Sequence, residues 1–198
     1  DYDVDGAIEC FRVKTLSIEN ECPPGILAAN GVTRKRSAYP PEVVEGVLDG
    51  LIDLALSASE QLVRSRAIVT VAGVGSRRRV EPMAGIVERL GRLYEEADRF
   101  DVRFTVANVL QTQHDTARAI DLLKRIARDD GPRDRRHGSP PALLALESLR
   151  SFGQAGRTAL QELHADLPSI RNPAARSTLV RVAKNNFYFT RQGPPKRH

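Results

Sequence analysis

Asp101-Val-Arg-Phe-Thr-Val-Ala-Asn-Val-Leu110 echoes an earlier stretch of the same chain, Gln61-Leu-Val-Arg-Ser-Arg-Ala-Ile-Val-Thr-Val71. Val63-Arg64 lies 39 residues before Val102-Arg103, and the same offset carries Ala67 onto Val106 and Val71 onto Leu110. Apolar residues at three-and-four spacing predict a helix in both places, and a period of this length marks an array of helical repeats.

The residues upstream of each stretch repeat as well. Pro41 suits a first helical turn, and Val44, Val47, Leu48, Leu51, Leu54 and Ala55 follow at helical spacing as one apolar stripe. Ser57 to Ser59 interrupt, and Ser59 is the expected N-cap of a helix from Glu60 to about Gly73. Two helices joined by a short polar turn make an αα-hairpin. At the offset of 39, Val44 falls on Met83, Val47 on Ile86, Leu48 on Val87, Leu51 on Leu90 and Leu54 on Leu93, with Pro82 again in a first turn. Asp101 is the expected N-cap of the helix that completes this second pair.

A third pair is expected from Asp115 or Thr116, with Ala119, Leu122, Leu123 and Ile126 inward; a polar loop from Asp129 to Ser139 precedes its second helix, Pro140 to Phe152. Gly153 ends that helix. A fourth pair is expected over Gln154–Ala165, with Ala159, Leu160 and Leu163 inward, and Pro173–Lys184, where Asn172-Pro173 reads as an N-cap followed by proline at the first helical position. Asn185 to His198 read as a partly extended tail. The expected organisation is therefore an irregular segment over residues 1–39, a helical repeat domain over 40–186 and a tail over 187–198.

The N-terminal segment has a different character. Asp1, Asp3, Asp5 and Gly6 match the first half of a calcium loop, but the position that should carry a bidentate carboxylate is Arg12, a cation that repels calcium. A polar turn leading into an irregular piece over Cys10 to Ile18 is the expectation, and no metal site is assigned. Pro23-Pro24-Gly25 breaks the chain, and Ile26 to Ala29 with Asn30-Gly31 read as one helical turn and its C-cap. The basic run Arg34-Lys35-Arg36 reads as solvated loop. Cys10 and Cys22 either pair in an oxidising compartment or remain separate thiols in a reducing one. A processed N-terminus together with paired cysteines favours an extracytoplasmic (periplasmic or secreted) location.

Composition narrows the chemistry. The absence of Trp, few aromatics and an apolar set dominated by Ala, Leu and Val argue against a strand-rich fold, and the preference for Arg over Lys suggests a GC-rich bacterial genome. A net charge of +5 and a pI near 9.6 suit an anionic partner, although most charges alternate in sign along helical faces as solvated helices do. No apolar run is long enough to span a membrane. His114, His137, His164 and His198 have no metal-ligand spacing with one another or with Cys. Glu95-Glu96 and Asp129-Asp130 are chain neighbours with no reason to converge, and no nucleophile or phosphate-loop motif follows a strand. Gly73-Val-Gly75-Ser76 before Arg77-Arg78-Arg79 reads as a glycine C-cap and solvated loop in preference to an anion cradle. No catalytic residue and no cofactor is assigned.

These features resemble the HEAT repeat, a helical hairpin with proline near the start of its first helix and Asp plus Val-Arg at the start of its second. Asp101-Val102-Arg103 carries the full signature, Val63-Arg64 its second part, and Ala175-Arg176 a weaker echo. The resemblance implies an all-α fold, a right-handed α-solenoid of about four stacked hairpins, each burying its stripe against its neighbours. It also implies that Arg64, Asp101 and Arg103 join one repeat to the next before they serve any ligand. HEAT geometry puts a binding surface on the concave side lined by second helices, where Arg66, Thr105, Asn108, Gln111, Arg181 and Lys184 point away from the stripe. A non-catalytic scaffold for a protein or peptide partner is the expected function. An anion- or nucleic-acid-binding relative that uses an Arg-rich face is the alternative.

Overall fold

The computed structural model describes residues 2–17, 21–25, 27–73, 85–112, 115–129 and 139–189, and among these every regular element is helical. The chain forms two compact units, residues 1–115 and 116–198.

The described residues of the first unit form six α-helices: α1 (Val4–Leu16), α2 (Ala29–Arg34), α3 (Pro41–Ser57), α4 (Gln61–Gly73), α5 (Ile86–Glu96) and α6 (Phe100–Thr112). The α3–α4 and α5–α6 pairs are the hairpins read from the repeat. Val44, Val47, Leu48, Leu51, Leu54 and Ala55 of α3 are all buried, as the stripe requires. The register of the second helices holds residue by residue: Val63, Ala67 and Val71 are buried in α4, and Val102, Val106 and Leu110 in α6. Helix α4 packs along α6, so successive hairpins bury one continuous seam. Three boundaries differ from expectation. Asp101 lies inside the first turn of α6, which starts at Phe100, so it is not the N-cap. Helix α4 starts at Gln61, two residues past Ser59. Asn30-Gly31 lies within α2, and the Arg34-Lys35-Arg36 run spans the end of α2 and a 3-10 turn over Arg36–Ala38.

The N-terminal segment is a helix where an irregular piece was expected. Asp3 caps α1, its carboxylate accepting from Gly6 N at 2.8 Å, so the acidic residues read as half a calcium loop are a helix start. Arg12 bonds Glu9 instead of facing a metal, and that guanidinium holds the Glu9 carboxyl below its usual range. Asp1 lies outside the described residues. Ala7, Cys10 and Phe11 bury one face of α1 against the first hairpin. Contact is close because α3 presents Gly46 and Gly50 one turn apart: a Cβ on Gly50 would meet Ile8 Cγ1 at 2.8 Å. Helix α1 thus packs against the face of α3 that carries these two glycines.

Cys10 of α1 is joined to Cys22 by a disulfide, with Cα atoms 5.4 Å apart across a sequence separation of 12. Closing a loop of this length stabilises mainly by restricting the unfolded chain. Cys10→Ser/Cys22→Ser is expected to lose about 2–3 kcal/mol in urea unfolding. Non-reducing peptide mapping should show the linked pair; two free thiols, or an unchanged midpoint, would contradict it.

The second unit contains α7 (Thr116–Arg128), α8 (Pro141–Arg150), α9 (Gly153–Ala165), a 3-10 turn over Leu167–Ser169 and α10 (Pro173–Phe189). Ala119, Leu122, Leu123 and Ile126 of α7 and Ala159, Leu160 and Leu163 of α9 are buried as read. Asn172 caps α10 as expected, its side-chain oxygen accepting from Ala175 N at 3.0 Å. Asn185 to Phe189 continue α10, correcting the extended tail expected there. Helix α8 is shorter than the span read from Pro140 to Phe152, because Ser151 and Phe152 turn the chain and Gly153, at φ +60°, starts α9.

Candidate functional site

The Val-Arg echo positions an ion pair inside the first unit. Arg64 is the second residue of the echoed pair in α4, and its Nε and Nη2 each lie 2.8 Å from Asp101 Oδ2 in α6. Its Nη1 donates to the carbonyls of Ala58 and Ser59 at 2.8 and 2.7 Å, tying off the turn between α3 and α4. The two side chains are only 5% and 10% exposed, so this pair is part of the core. Placement of Asp101 in the first turn of α6 adds the favourable field of the helix N-terminus. Arg103 at the equivalent position in α6 lies with its guanidinium carbon 5.7 Å from the Tyr94 ring centroid. Its Nε is buried without a hydrogen-bond partner among the described residues.

A second set of ion pairs joins successive first helices. In the first unit Arg89 of α5 reaches Glu45 and Asp49 of α3. In the second, Lys124 of α7 pairs with Glu162 of α9 at 2.5 Å, and Arg128 with Asp166 at 3.3 Å. Hydrogen bonding to Lys124 holds the Glu162 carboxyl below its ordinary range, so this contribution is fully present above that range and is lost as the pH falls from it through the lowered folded-state value. These charges join successive first helices within each unit.

Of the candidate binding residues, four lie in the first unit. Arg66 and Thr105 occupy equivalent repeat positions, 39 residues apart, on α4 and α6. Arg66 is exposed, while Thr105, Asn108 and Gln111 are half-buried. Thr105 Oγ1 donates to Asp101 O at 2.7 Å and Asn108 Nδ2 to Phe104 O at 2.8 Å, so one hydrogen of each is engaged on its own helix. Sequence reasoning missed two apolar neighbours of Arg66: Leu62 and Val69 are 50% and 54% exposed. Leu62, Arg66 and Val69 fall at i, i+4 and i+7, which puts them on one face of α4. Their alternation with buried Val63, Ala67 and Ile68 was the available signal.

The other two candidates, Arg181 and Lys184, are exposed residues of α10 in the second unit. Arg181 borders a cavity of about 770 Å³ formed where α8, α9 and α10 meet. Leu143, Leu146, Leu160, Leu179 and Val182 supply its apolar lining, and Glu147, Arg150 and Arg157 its other charged groups. Lys184 does not line it. Of this cavity only Arg181 was picked out beforehand, because Arg150 and Arg157 belong to separate helices whose crossing brings them together.

Among the described residues no cluster of three or more His, Cys, Asp or Glu side chains could hold a metal, and no helix is long and apolar enough to cross a membrane. Glu95 and Glu96 are exposed on α5, and His164 lies in the last turn of α9. His114, His137, His198, Asp130 and the Gly75 to Arg79 stretch lie outside the described residues.

Comparison with known proteins gives one match. The family model for HEAT repeats matches residues 48–143, from the middle of α3 into α8. No curated protein and no solved structure matches the chain.

Proposed function

Residues 48–143 belong to the HEAT-repeat family, and from that premise we propose that the protein is a non-catalytic scaffold that binds a protein or peptide through its second helices. HEAT repeats generally serve as protein-interaction scaffolds. The observation that carries the reading is the division of labour among the charges. Arg64, Arg89, Lys124 and Arg128 are committed to joining helices, whereas Arg66 stands exposed between Leu62 and Val69 on the face of α4. An arginine flanked by exposed apolar side chains is the composition of an interface anchor. In the first unit the proposed surface comprises Arg66, Thr105, Asn108 and Gln111. Thr105 and Asn108 each commit one hydrogen to their own helix, which leaves the Thr105 oxygen and the Asn108 oxygen and second amide hydrogen for a partner. Arg181 and Lys184 form a separate set in the second unit. The Cys10–Cys22 link supports an oxidising compartment.

The test is selection of binders from a random-peptide display library against the folded chain, followed by calorimetry on the enriched peptides. Arg66→Glu/Gln111→Ala should weaken peptides selected by the first unit at least tenfold, about 1.4 kcal/mol, with an unchanged circular dichroism spectrum. Enrichment of no peptide would sink the scaffold reading. So would affinity confined to nucleic acid and falling steeply with salt, which is the signature of phosphate neutralisation.

A further inference from the structure

We propose that the cavity of the second unit is a receptor for an acidic peptide segment with an embedded leucine-sized side chain, a site that deepens the scaffold reading and rests on it. Three guanidiniums converge on the cavity from three different elements: Arg150 at the end of α8, Arg157 in α9 and Arg181 in α10. Against them stands a single carboxylate, Glu147. All four side chains are exposed, and among the described residues none of the three guanidiniums has an ion-pair partner. The contrast with the same unit's Lys124 and Arg128, both paired across helices, is direct. A repeat that needed these arginines for packing would have engaged them in the same way. Their convergence around an excess of positive charge calls for an anionic occupant.

The lining sets the rest of the specification. Leu143, Leu146, Leu160, Leu179 and Val182 make the floor apolar, so an inorganic anion would leave it wet and unused. The volume of about 770 Å³ is within the range that encloses a drug-sized ligand or a few peptide residues. Guanidiniums accept carboxylates in a bidentate fork, and arginines spread over three helices suit carboxylates spaced along a chain better than one compact charge. An extended peptide alternating acidic and leucine-sized residues meets both demands, carboxylates to the arginine rim and apolar side chains to the floor.

Fluorescence polarisation with a labelled peptide of alternating Asp and Leu tests this on the full chain. The expected result is saturable binding in the micromolar range, with at least tenfold loss in Arg157→Glu/Arg181→Glu and no change in Arg176→Glu. Arg176 is an exposed α10 arginine outside the cavity and serves as the charge-reversal control on the same helix. Replacing Leu by Ser in the peptide should also cost at least tenfold, which separates use of the floor from charge attraction. The proposal is overturned by absence of binding, by equal affinity for the Asp/Ser peptide, by equal loss in Arg176→Glu, or by a short RNA oligomer that binds tighter at the same arginines. If peptides selected on the whole protein depend on Arg66 and Gln111 but ignore Arg157 and Arg181, the cavity proposal falls and the scaffold reading stands.

Discussion

Replacing Arg64 with alanine is expected to lower the free energy of unfolding by about 3–5 kcal/mol, the range for removing one partner of a buried ion pair. The size follows from what the side chain leaves behind. Asp101 would keep a carboxylate that is 10% exposed with no cation against it, and the carbonyls of Ala58 and Ser59 would lose their donor. Desolvation is therefore unrelieved at the Asp101 carboxylate and at the buried Ala58 carbonyl. Asp101→Asn should cost less, because Arg64 keeps both carbonyl bonds and an amide oxygen can still accept from it. Arg64→Lys should rank near alanine, since one ammonium cannot span Asp101 and both carbonyls in the arginine's fork geometry. Urea unfolding followed by circular dichroism gives the ranking. An alanine variant within about 1 kcal/mol of wild type, or an asparagine variant at least as damaging, would mean that the pair is not what joins the repeats.

That pair shows how far the sequence could be read. An offset of 39 put Val63-Arg64 over Val102-Arg103, and the core residues at that offset are buried in both helices. Periodicity reports burial directly, because a helix packed on one side must repeat its apolar positions every three or four residues. The link from Arg64 to Asp101 was legible as a seam between repeats, because the resemblance placed both residues there. Its second half was not: the bonds to Ala58 and Ser59 depend on how closely the α3–α4 turn folds back. Helix α1 was obscured by a different competition. The acidic residues at its start fit half of a calcium loop, while the helical signal, Ala7, Cys10 and Phe11 at three-and-four spacing after an Asp cap, is short.

The candidate sites were less legible than the fold. Reading residues turned away from the stripe finds exposed positions such as Arg66, yet it cannot tell a free donor from one bonded to its own helix, as in Thr105 and Asn108. A rotamer decides that, and the sequence does not carry it. The cavity is harder still. Its charged groups come from α8, α9 and α10, so its existence depends on the crossing of three helices, two of them joined by the tight Ser151-Phe152 corner.

Gly156 holds that corner, and Gly156→Ala is expected to lose about 3 kcal/mol, the upper end of overpacking costs. A Cβ at this position would lie 1.9 Å from Leu149 O and 2.9 Å from Phe152 Cβ. The first obstacle is backbone, so no rotamer relieves it, and α9 must move away from the end of α8. Helix propensity works the other way, favouring alanine by about 1 kcal/mol in a helix interior; a net loss can only come from the clash. Gly73 is the internal control. An added Cβ there would meet nothing within 4 Å, so Gly73→Ala should stay within about 1 kcal/mol of wild type. Hydrogen exchange should show amides of α8 and α9 opening faster in Gly156→Ala while those of α3 and α4 keep their protection. Because Gly153, Arg157 and Leu160 of the same helix line the cavity, the variant should also weaken the Asp/Leu peptide without removing any charge. A Gly156→Ala protein as stable as wild type would show that α8 and α9 do not approach this closely, and the convergence of Arg150 and Arg157 would lose its structural basis.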